Sequence, residues 1–204
     1  LKPVPLGKIT AELQPEVLWR ARIGSGTEGK RLALRPTVVY DRVYAAAHGG
    51  EIVALALDSG DTIWRINTGL PIAGGPGAGD GLLVVGTTDG QVVAFDELDG
   101  SERWRVAVSS EVLAVPAVRD GRVVVHTVDG AITAHATADG AEVWRYTREN
   151  PILTIRGSSS PVIERGVVYC GLAAGRLVAL DLATGAPLWE AVVSLPSGRS
   201  ELER

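Results

Sequence analysis

The stretch GQVVAFDELDGSERW, residues 90–104, recurs three more times along the chain with its internal spacing intact. Every copy opens on a glycine, has alanine at its fifth position, turns at a second glycine and ends on a tryptophan. The other copies are GEIVALALDSGDTIW at 50–64, GAITAHATADGAEVW at 130–144 and GRLVALDLATGAPLW at 175–189. A period of this size indicates one supersecondary unit copied along the chain.

Tryptophan and proline follow the same period. The five tryptophans are 45, 40, 40 and 45 residues apart, and a proline precedes each of the last four by 28 residues. The repeat units therefore run over 36–64, 76–104, 116–144 and 161–189. The tryptophans that mark the repeat are Trp19, Trp64, Trp104, Trp144 and Trp189.

Each unit has the pattern of four short strands. Valine-rich runs such as 122–125 alternate with glycine-containing turns such as Asp120-Gly121, and no window shows a sustained helical period. Glycine and aspartate supply the positive φ angles that tight hairpins need. The sequence predicts an all-β fold, a β-propeller of four-stranded antiparallel blades in which each tryptophan packs on the adjacent blade. A stacked solenoid of hairpins is the alternative.

The number of units predicts an arc of blades. Four complete units are present, and Val17 to Arg20 has the pattern of a fourth strand whose own first three strands do not precede it. We expect residues 1–15 to be an N-terminal linker and residues 16–204 to form a partial propeller, roughly half of an eight-bladed ring. A four-bladed ring with a supplementary strand is the other arrangement that fits.

Composition excludes several classes of protein. The chain has 204 residues, 46% of them hydrophobic, and a net charge of −4, whereas a nucleic-acid partner would require a basic surface. No apolar run is long enough to span a membrane, and no signal peptide is visible. Cys170 is the single cysteine, which forbids an internal disulfide, and its place in a strand favours a packed, inert thiol.

The polar residues do not form a pattern typical of catalysis. His48, His126 and His135 occupy three different repeat positions, which does not define a zinc site, and we expect His135 to be a core histidine with one satisfied nitrogen. The repeated aspartates fit turn capping. There is no phosphate-binding loop and no nucleophile elbow. The residues therefore predict no metal, no cofactor and no enzymatic activity.

The connectors between units differ in length. The link from tryptophan to the next proline is 12 residues at 64–76 and 104–116, but 17 residues at 19–36 and 144–161. Insertions in a propeller project from one face, where function tends to lie. In the second long connector Leu153 and Ile155 point the same way if the chain is extended, and Arg156, a residue type favoured at hot spots, follows. The two aliphatic residues also fit the start of the next blade's inner strand.

The repeat resembles that of pyrroloquinoline-quinone-type propellers, a superfamily of quinoprotein dehydrogenases and non-catalytic scaffolds. The resemblance to the dehydrogenases implies a catalytic aspartate, a calcium-binding set of carboxylates and often a pair of adjacent cysteines. This chain has one cysteine. A fragment of a quinoprotein-like dehydrogenase, or of another ligand-binding propeller, is therefore the alternative to a scaffold.

Three connectors narrow the resemblance: IGSG at 23–26, LTIRGSSSP at 153–161 and GRSELER at 198–204. With them the chain resembles the BamB family, propeller lipoproteins of the outer-membrane β-barrel assembly machinery. The resemblance implies a non-catalytic scaffold whose Leu153, Ile155 and Arg156 contact BamA, the barrel-forming subunit, together with two acidic residues beyond Arg204. It also implies transient capture of unfolded outer-membrane proteins at strand edges.

The same resemblance implies a location. Members of the family act at the periplasmic face of the outer membrane of Gram-negative bacteria, held there by a lipidated cysteine at the start of the mature protein. That cysteine and the second half of the propeller are not in this sequence. We therefore expect contact with the membrane only through an anchor outside this chain.

Overall fold

The computed structural model describes residues 15–30, 32, 34–148 and 158–194. Within these residues every regular element is a β-strand. The strands are β1 (Thr37–Val39), β2 (Arg42–Ala46), β3 (Glu51–Ala56), β4 (Thr62–Asn67), β5 (Ile72–Gly79), β6 (Leu82–Thr87), β7 (Gln91–Asp96), β8 (Glu102–Ala107), β9 (Ala117–Arg119), β10 (Arg122–His126), β11 (Ile132–Ala136), β12 (Glu142–Tyr146), β13 (Val162–Glu164), β14 (Val167–Leu172), β15 (Arg176–Asp181) and β16 (Pro187–Val192).

Four consecutive strands form each sheet. The sheets are β1-β2-β3-β4, β5-β6-β7-β8, β9-β10-β11-β12 and β13-β14-β15-β16, here called blades 1 to 4, and neighbouring strands are antiparallel throughout. Each blade is built from one sequence repeat, because short hairpins join strands that are adjacent in the chain. The predicted all-β propeller of four-stranded blades is confirmed.

The first hairpin of blades 2 and 3 explains the Asp-Gly pair that both contain. In blade 3, Asp120 and Gly121 have φ values of 54° and 74°, and Asp80 and Gly81 of blade 2 have 51° and 77°. Two successive positive φ values match the type I′ turn, whose twist matches that of the flanking strands. Aspartate tolerates this conformation better than most residues, and glycine adopts it freely.

The hydrophobic core lies between the blades. One cluster joins Tyr44 and Ile52 of blade 1 to Leu83 and Phe95 of blade 2, and equivalent clusters join blades 2 and 3 and blades 3 and 4. A middle strand is therefore covered on both faces. All six residues of β6 are buried, which explains why the sequence of such strands lacks a polar and apolar alternation.

A tryptophan joins each blade to the next. Its indole Nε1–H donates to a backbone carbonyl in the following blade, at 2.9 Å for Trp19, 3.1 Å for Trp64, 2.9 Å for Trp104 and 2.8 Å for Trp144. The accepting residues are Leu57, Glu97, Thr137 and Leu182. The four contacts repeat one geometry, in which the ring fills the space beside the next sheet and its polar edge is satisfied.

Each of these rings also lies over a glycine of the following blade. A Cβ built on Gly140 would be 2.6 Å from the ring of Trp104, and the same holds for Gly60 with Trp19 and Gly185 with Trp144, whereas on Gly100 it would be 3.0 Å from the ring of Trp64. The glycines have positive φ values between 72° and 76°. The second glycine of the repeat therefore serves both the turn and the contact with the neighbouring ring.

The last tryptophan is in a different environment. Trp104 is 7% exposed, but Trp189 is 45% exposed and its only ring neighbour among the described residues is Tyr169, 6.0 Å away. The expectation that every tryptophan packs on an adjacent blade does not hold for Trp189. Within the described part of the chain no further blade covers that face of blade 4, and Val162 on the same sheet is also exposed.

The segment before blade 1 corrects another expectation. The sequence predicts a strand over Val17 to Arg20, but residues 15–23 form no strand. The four strands of each sheet pair only with one another, so this segment has no strand partner among the described residues. Trp19 and Ile23 instead pack on the buried residues of blade 1, and the Gly24 amide donates to Glu51 Oε1 at 3.1 Å.

We predict that Gly140→Ala destabilises the protein far more than Gly121→Ala. Both glycines have φ near 75°, so both substitutions introduce left-handed strain of about 1–2 kcal/mol. A Cβ on Gly121 has nothing within 4 Å, while one on Gly140 meets the Trp104 ring, which adds about 1–3 kcal/mol of overpacking. Urea denaturation of the two variants measures the difference. Equal losses of stability would show that the contact between ring and glycine contributes nothing.

Candidate partner-binding site

The connector between blades 3 and 4, residues 144–161, is where the family resemblance implies a partner-binding site. Leu153, Ile155 and Arg156 lie outside the described residues. The structure describes both ends of the connector, 144–148 and 158–161. These two ends determine where the connector leaves blade 3 and where it enters blade 4.

The first end is tied to the outer strand of blade 4. Tyr146, the last residue of β12, donates its hydroxyl to Glu190 Oε1 at 2.9 Å, and the Arg148 guanidinium forms an ion pair with Glu190 Oε2. Arg176 of β15 lies 3.7 Å from the same oxygen. The hydrogen bonds from Arg148 and Tyr146 hold the pKa of the Glu190 carboxyl below its usual value, so the carboxylate is charged at neutral pH.

The second end is held by a run of three serines. Ser158 donates to the carbonyl of His126 at 3.1 Å, and Ser159 donates to the carbonyl of Gly171 at 2.8 Å. Ser160 accepts from the backbone amide of Val115 at 3.1 Å. The hydroxyls therefore bond to backbone groups of β10, of β14 and of the segment that precedes β9. In the sequence the three serines are visible only as part of the segment LTIRGSSSP, and no pattern there indicates their backbone contacts.

A buried thiol and imidazole lie beside this end. Cys170 Sγ is 3.2 Å from His126 Nδ1, a contact between residues of blades 4 and 3. The same nitrogen is 3.1 Å from the carbonyl of Ser159, which can only accept, so Nδ1 carries a proton and has no lone pair to deprotonate the thiol. Burial raises the pKa of Cys170 to about 11 and lowers that of His126. This is a packed, unreactive thiol, as the sequence suggested.

The other two histidines are also structural. His135 is buried, with Nε2 3.0 Å from the Thr133 hydroxyl and Nδ1 3.0 Å from the carbonyl of Gly140, so both nitrogens have partners instead of the single one expected. His48 Nδ1 donates to the carbonyl of Ile72 at 2.7 Å, and its Nε2 contacts the Lys30 ammonium.

The described residues meet neither the requirements of a metal site nor those of a membrane-spanning helix. The described residues contain no group of three histidine, cysteine, aspartate or glutamate side chains that could hold a metal ion. Nor do they include a helix long and apolar enough to cross a membrane.

A family model and similar curated proteins agree on one family for this chain. The family model described as outer membrane protein assembly factor BamB matches residues 48–204. The chain is 62% identical over 189 residues to the outer membrane protein assembly factor BamB of Alkalilimnicola ehrlichii, covering 93% of this chain and 49% of that protein. It is 54% identical to the BamB of Pseudomonas aeruginosa, covering 100% of this chain and 54% of the relative. The chain spans about half the length of the curated relatives it matches.

Two solved structures resemble this chain to different degrees, one in sequence and fold and the other in fold alone. BamB from Moraxella catarrhalis is 32% identical and superimposes with a TM-score of 0.76 over 83% of this chain and 51% of that one. A quinohemoprotein alcohol dehydrogenase from Comamonas testosteroni superimposes with a TM-score of 0.62 over 76% of this chain and 34% of its own, at 20% identity, which shows a shared fold alone. The family match and the closely related sequences together show that the chain belongs to the BamB family of outer membrane protein assembly factors.

Proposed function

We propose that this chain is part of a non-catalytic scaffold subunit of the outer-membrane protein assembly complex, and that it docks to BamA through Leu153, Ile155 and Arg156. The observation that carries the proposal is the match to outer membrane protein assembly factors, which extends over 48–204 and so includes the whole connector 144–161. Relatives that align with 93–100% of this chain carry the same description.

The proposal extends to the organisation and location of the protein. Residues 1–15 serve as a linker and residues 16–204 as a propeller arc. The protein works at the periplasmic face of the outer membrane, where a lipid anchor outside this chain holds it. Its role is to support folding and insertion of β-barrel proteins.

The described ends of the connector support a docking function. Blades 3 and 4 share a buried core, so they provide a rigid base for a connector that is five residues longer than those at 64–76 and 104–116. Tyr146 and Arg148 fix one end, and the three serines fix the other. A binding segment whose ends are already fixed loses less conformational entropy when a partner binds.

The outer strands offer a second kind of contact. β16 is exposed at all six of its positions, and it lies at the edge of its sheet. An extended segment can add to such an edge through main-chain hydrogen bonds. We include in the proposal the transient capture of unfolded outer-membrane proteins by pairing at these edges.

The alternative function is that of a quinoprotein-like dehydrogenase fragment. Its support is the fold shared with quinohemoprotein alcohol dehydrogenases at 19–20% identity, which carries no information on chemistry. The chain has a single cysteine, which is buried, so it does not supply the pair of adjacent cysteines that the dehydrogenases often have. The scaffold function therefore has the stronger support.

We expect Arg156→Ala to weaken BamA binding by about 2 kcal/mol or more, roughly thirtyfold, because truncation of an arginine anchor at a hot spot has a cost of that size. Leu153→Ala should act in the same direction. The measurement is BamA capture with the protein as its gene encodes it, after circular dichroism has shown that each variant keeps the wild-type fold. Arg103→Ala, which removes an exposed arginine from blade 2, is the matched control.

Two results would count against this site. A folded Arg156→Ala variant that captures BamA as well as wild type would show that the assigned residues are wrong. Unfolding of Leu153→Ala would show that this side chain belongs to the core of blade 4 and not to an interface.

We also expect no quinone-dependent oxidation of alcohols. The protein is incubated with calcium and pyrroloquinoline quinone, and alcohol-dependent reduction of a dye is followed against a buffer blank. Activity should equal the blank, because the described residues contain no group of carboxylates that could hold the calcium ion. Saturable turnover would overturn the scaffold proposal in favour of the enzyme.

A further inference from the structure

The repeat is broken at one position of the outer strands. The residue after the tryptophan is arginine in the first four copies and glutamate, Glu190, in the last. The four arginines are Arg20, Arg65, Arg105 and Arg145. A position that keeps one charge through four copies and reverses it in the fifth faces a different environment in the fifth.

The cross-strand neighbour of this position also differs in charge between blades 1 and 4. In blade 1, Arg65 of the outer strand forms an ion pair with Glu51, the residue after the opening glycine of the repeat. In blade 4 the same two positions hold Glu190 and Arg176, with Arg176 Nη1 3.7 Å from Glu190 Oε2. Blades 1 and 4 therefore have the same cross-strand ion pair with opposite polarity, whereas blades 2 and 3 have Gln91 and Ala131 at the position of Glu51. With the charges inverted, blade 4 still has an ion pair between β15 and β16. What the inversion changes is the charge that β16 presents to the neighbouring blade 3.

Blade 3 departs from the repeat at the two positions that reach Glu190. Tyr146 and Arg148 stand two and four residues after Trp144. The corresponding residues are Ile66 and Thr68 in blade 1 and Val106 and Val108 in blade 2. The Tyr146 hydroxyl donates to one oxygen of Glu190 at 2.9 Å, and the Arg148 guanidinium pairs with the other. An arginine at 190 would instead repel Arg148.

We infer that Glu190 is a positioning residue for partner docking: it fixes the outgoing end of the connector 144–161 on blade 4 through Tyr146 and Arg148. The inference rests on the proposed function, since the connector carries the residues assigned to BamA binding. Three departures from the repeat, at 146, 148 and 190, meet Arg176 in one cluster joining two blades. Neither blade needs them to complete its own sheet.

Loss of the contacts between Glu190 and Arg148 should have a modest effect on BamA binding. The side chains of Arg148 and Glu190 are 37% and 30% exposed, and ion pairs at such sites are screened by solvent. Two hydrogen-bonded partners on one carboxylate make the geometry more specific than that of an isolated surface pair. We expect loss of the link to weaken BamA binding by about three- to tenfold.

The test separates the link between blades from the pair within blade 4. The double variant Arg176→Glu/Glu190→Arg gives blade 4 the polarity of blade 1, so the internal pair remains while the link to Arg148 becomes repulsive. Adding Arg148→Glu restores an attractive link of opposite sign. Glu102→Gln, which removes an equivalent exposed pair with Arg105 in blade 2, is the matched control. All variants are made in the protein as its gene encodes it.

Binding to purified BamA is the first readout. The double variant should bind about three- to tenfold more weakly, while the triple variant and Glu102→Gln should bind within about twofold of wild type. A double variant that binds like wild type overturns the inference. So does a triple variant that stays as weak as the double, because a merely structural need for Glu190 would not be rescued by reversing both charges.

Hydrogen–deuterium exchange of residues 145–148 is the second readout, and it does not depend on BamA. Exchange should be faster in the double variant and return to the wild-type rate in the triple. If Arg156→Ala binds like wild type, docking through this connector is wrong, and Glu190 loses its role in docking while exchange still reports whether it fixes the connector end. If exchange is unchanged in the double variant, the link itself is wrong.

Discussion

The contact between a tryptophan ring and a glycine of the next blade is the interaction on which the rest of the structure depends. It places a large apolar surface in the wedge between two sheets, and it uses the indole N–H to satisfy a backbone carbonyl there. The glycine permits the approach because it has no Cβ, and its positive φ turns the chain into the outer strand. Three such contacts join the four blades in sequence, and a fourth, made by Trp19, holds the N-terminal segment on blade 1.

This dependence explains why the fold could be predicted and where prediction failed. Tryptophan, proline and glycine recur at fixed distances, and each is needed for a local reason, so their spacing reveals the blades. Val17 to Arg20 has the sequence of a strand but no described strand to pair with, and strand formation depends on a partner that local sequence does not report. Trp189 has the repeat's pattern too, yet its exposure depends on whether another blade packs on blade 4.

The site was predictable to a smaller extent. Connector length identified 144–161, but the residues that hold its ends come from strands far apart in sequence, as with Tyr146 and Glu190. Pattern alone also could not show that His126 and Cys170 are in contact, since that depends on which faces of blades 3 and 4 meet. The charge reversal at Glu190 is visible in the sequence. Its contacts with Tyr146 and Arg148 are visible only when the structure places the end of β12 beside β16.

The direction of the tryptophan contact has a consequence for assembly. Every junction joins the indole face of one blade to the glycine face of the next, so the two faces of a blade are chemically different. Contacts between unlike surfaces are heterologous, and their repetition generates a head-to-tail series, whereas a twofold pair requires a surface that complements itself. The arc of blades is therefore polar, as a filament of head-to-tail subunits is. A blade that packs on one end must present its glycine face, and a blade that packs on the other end must present its indole face.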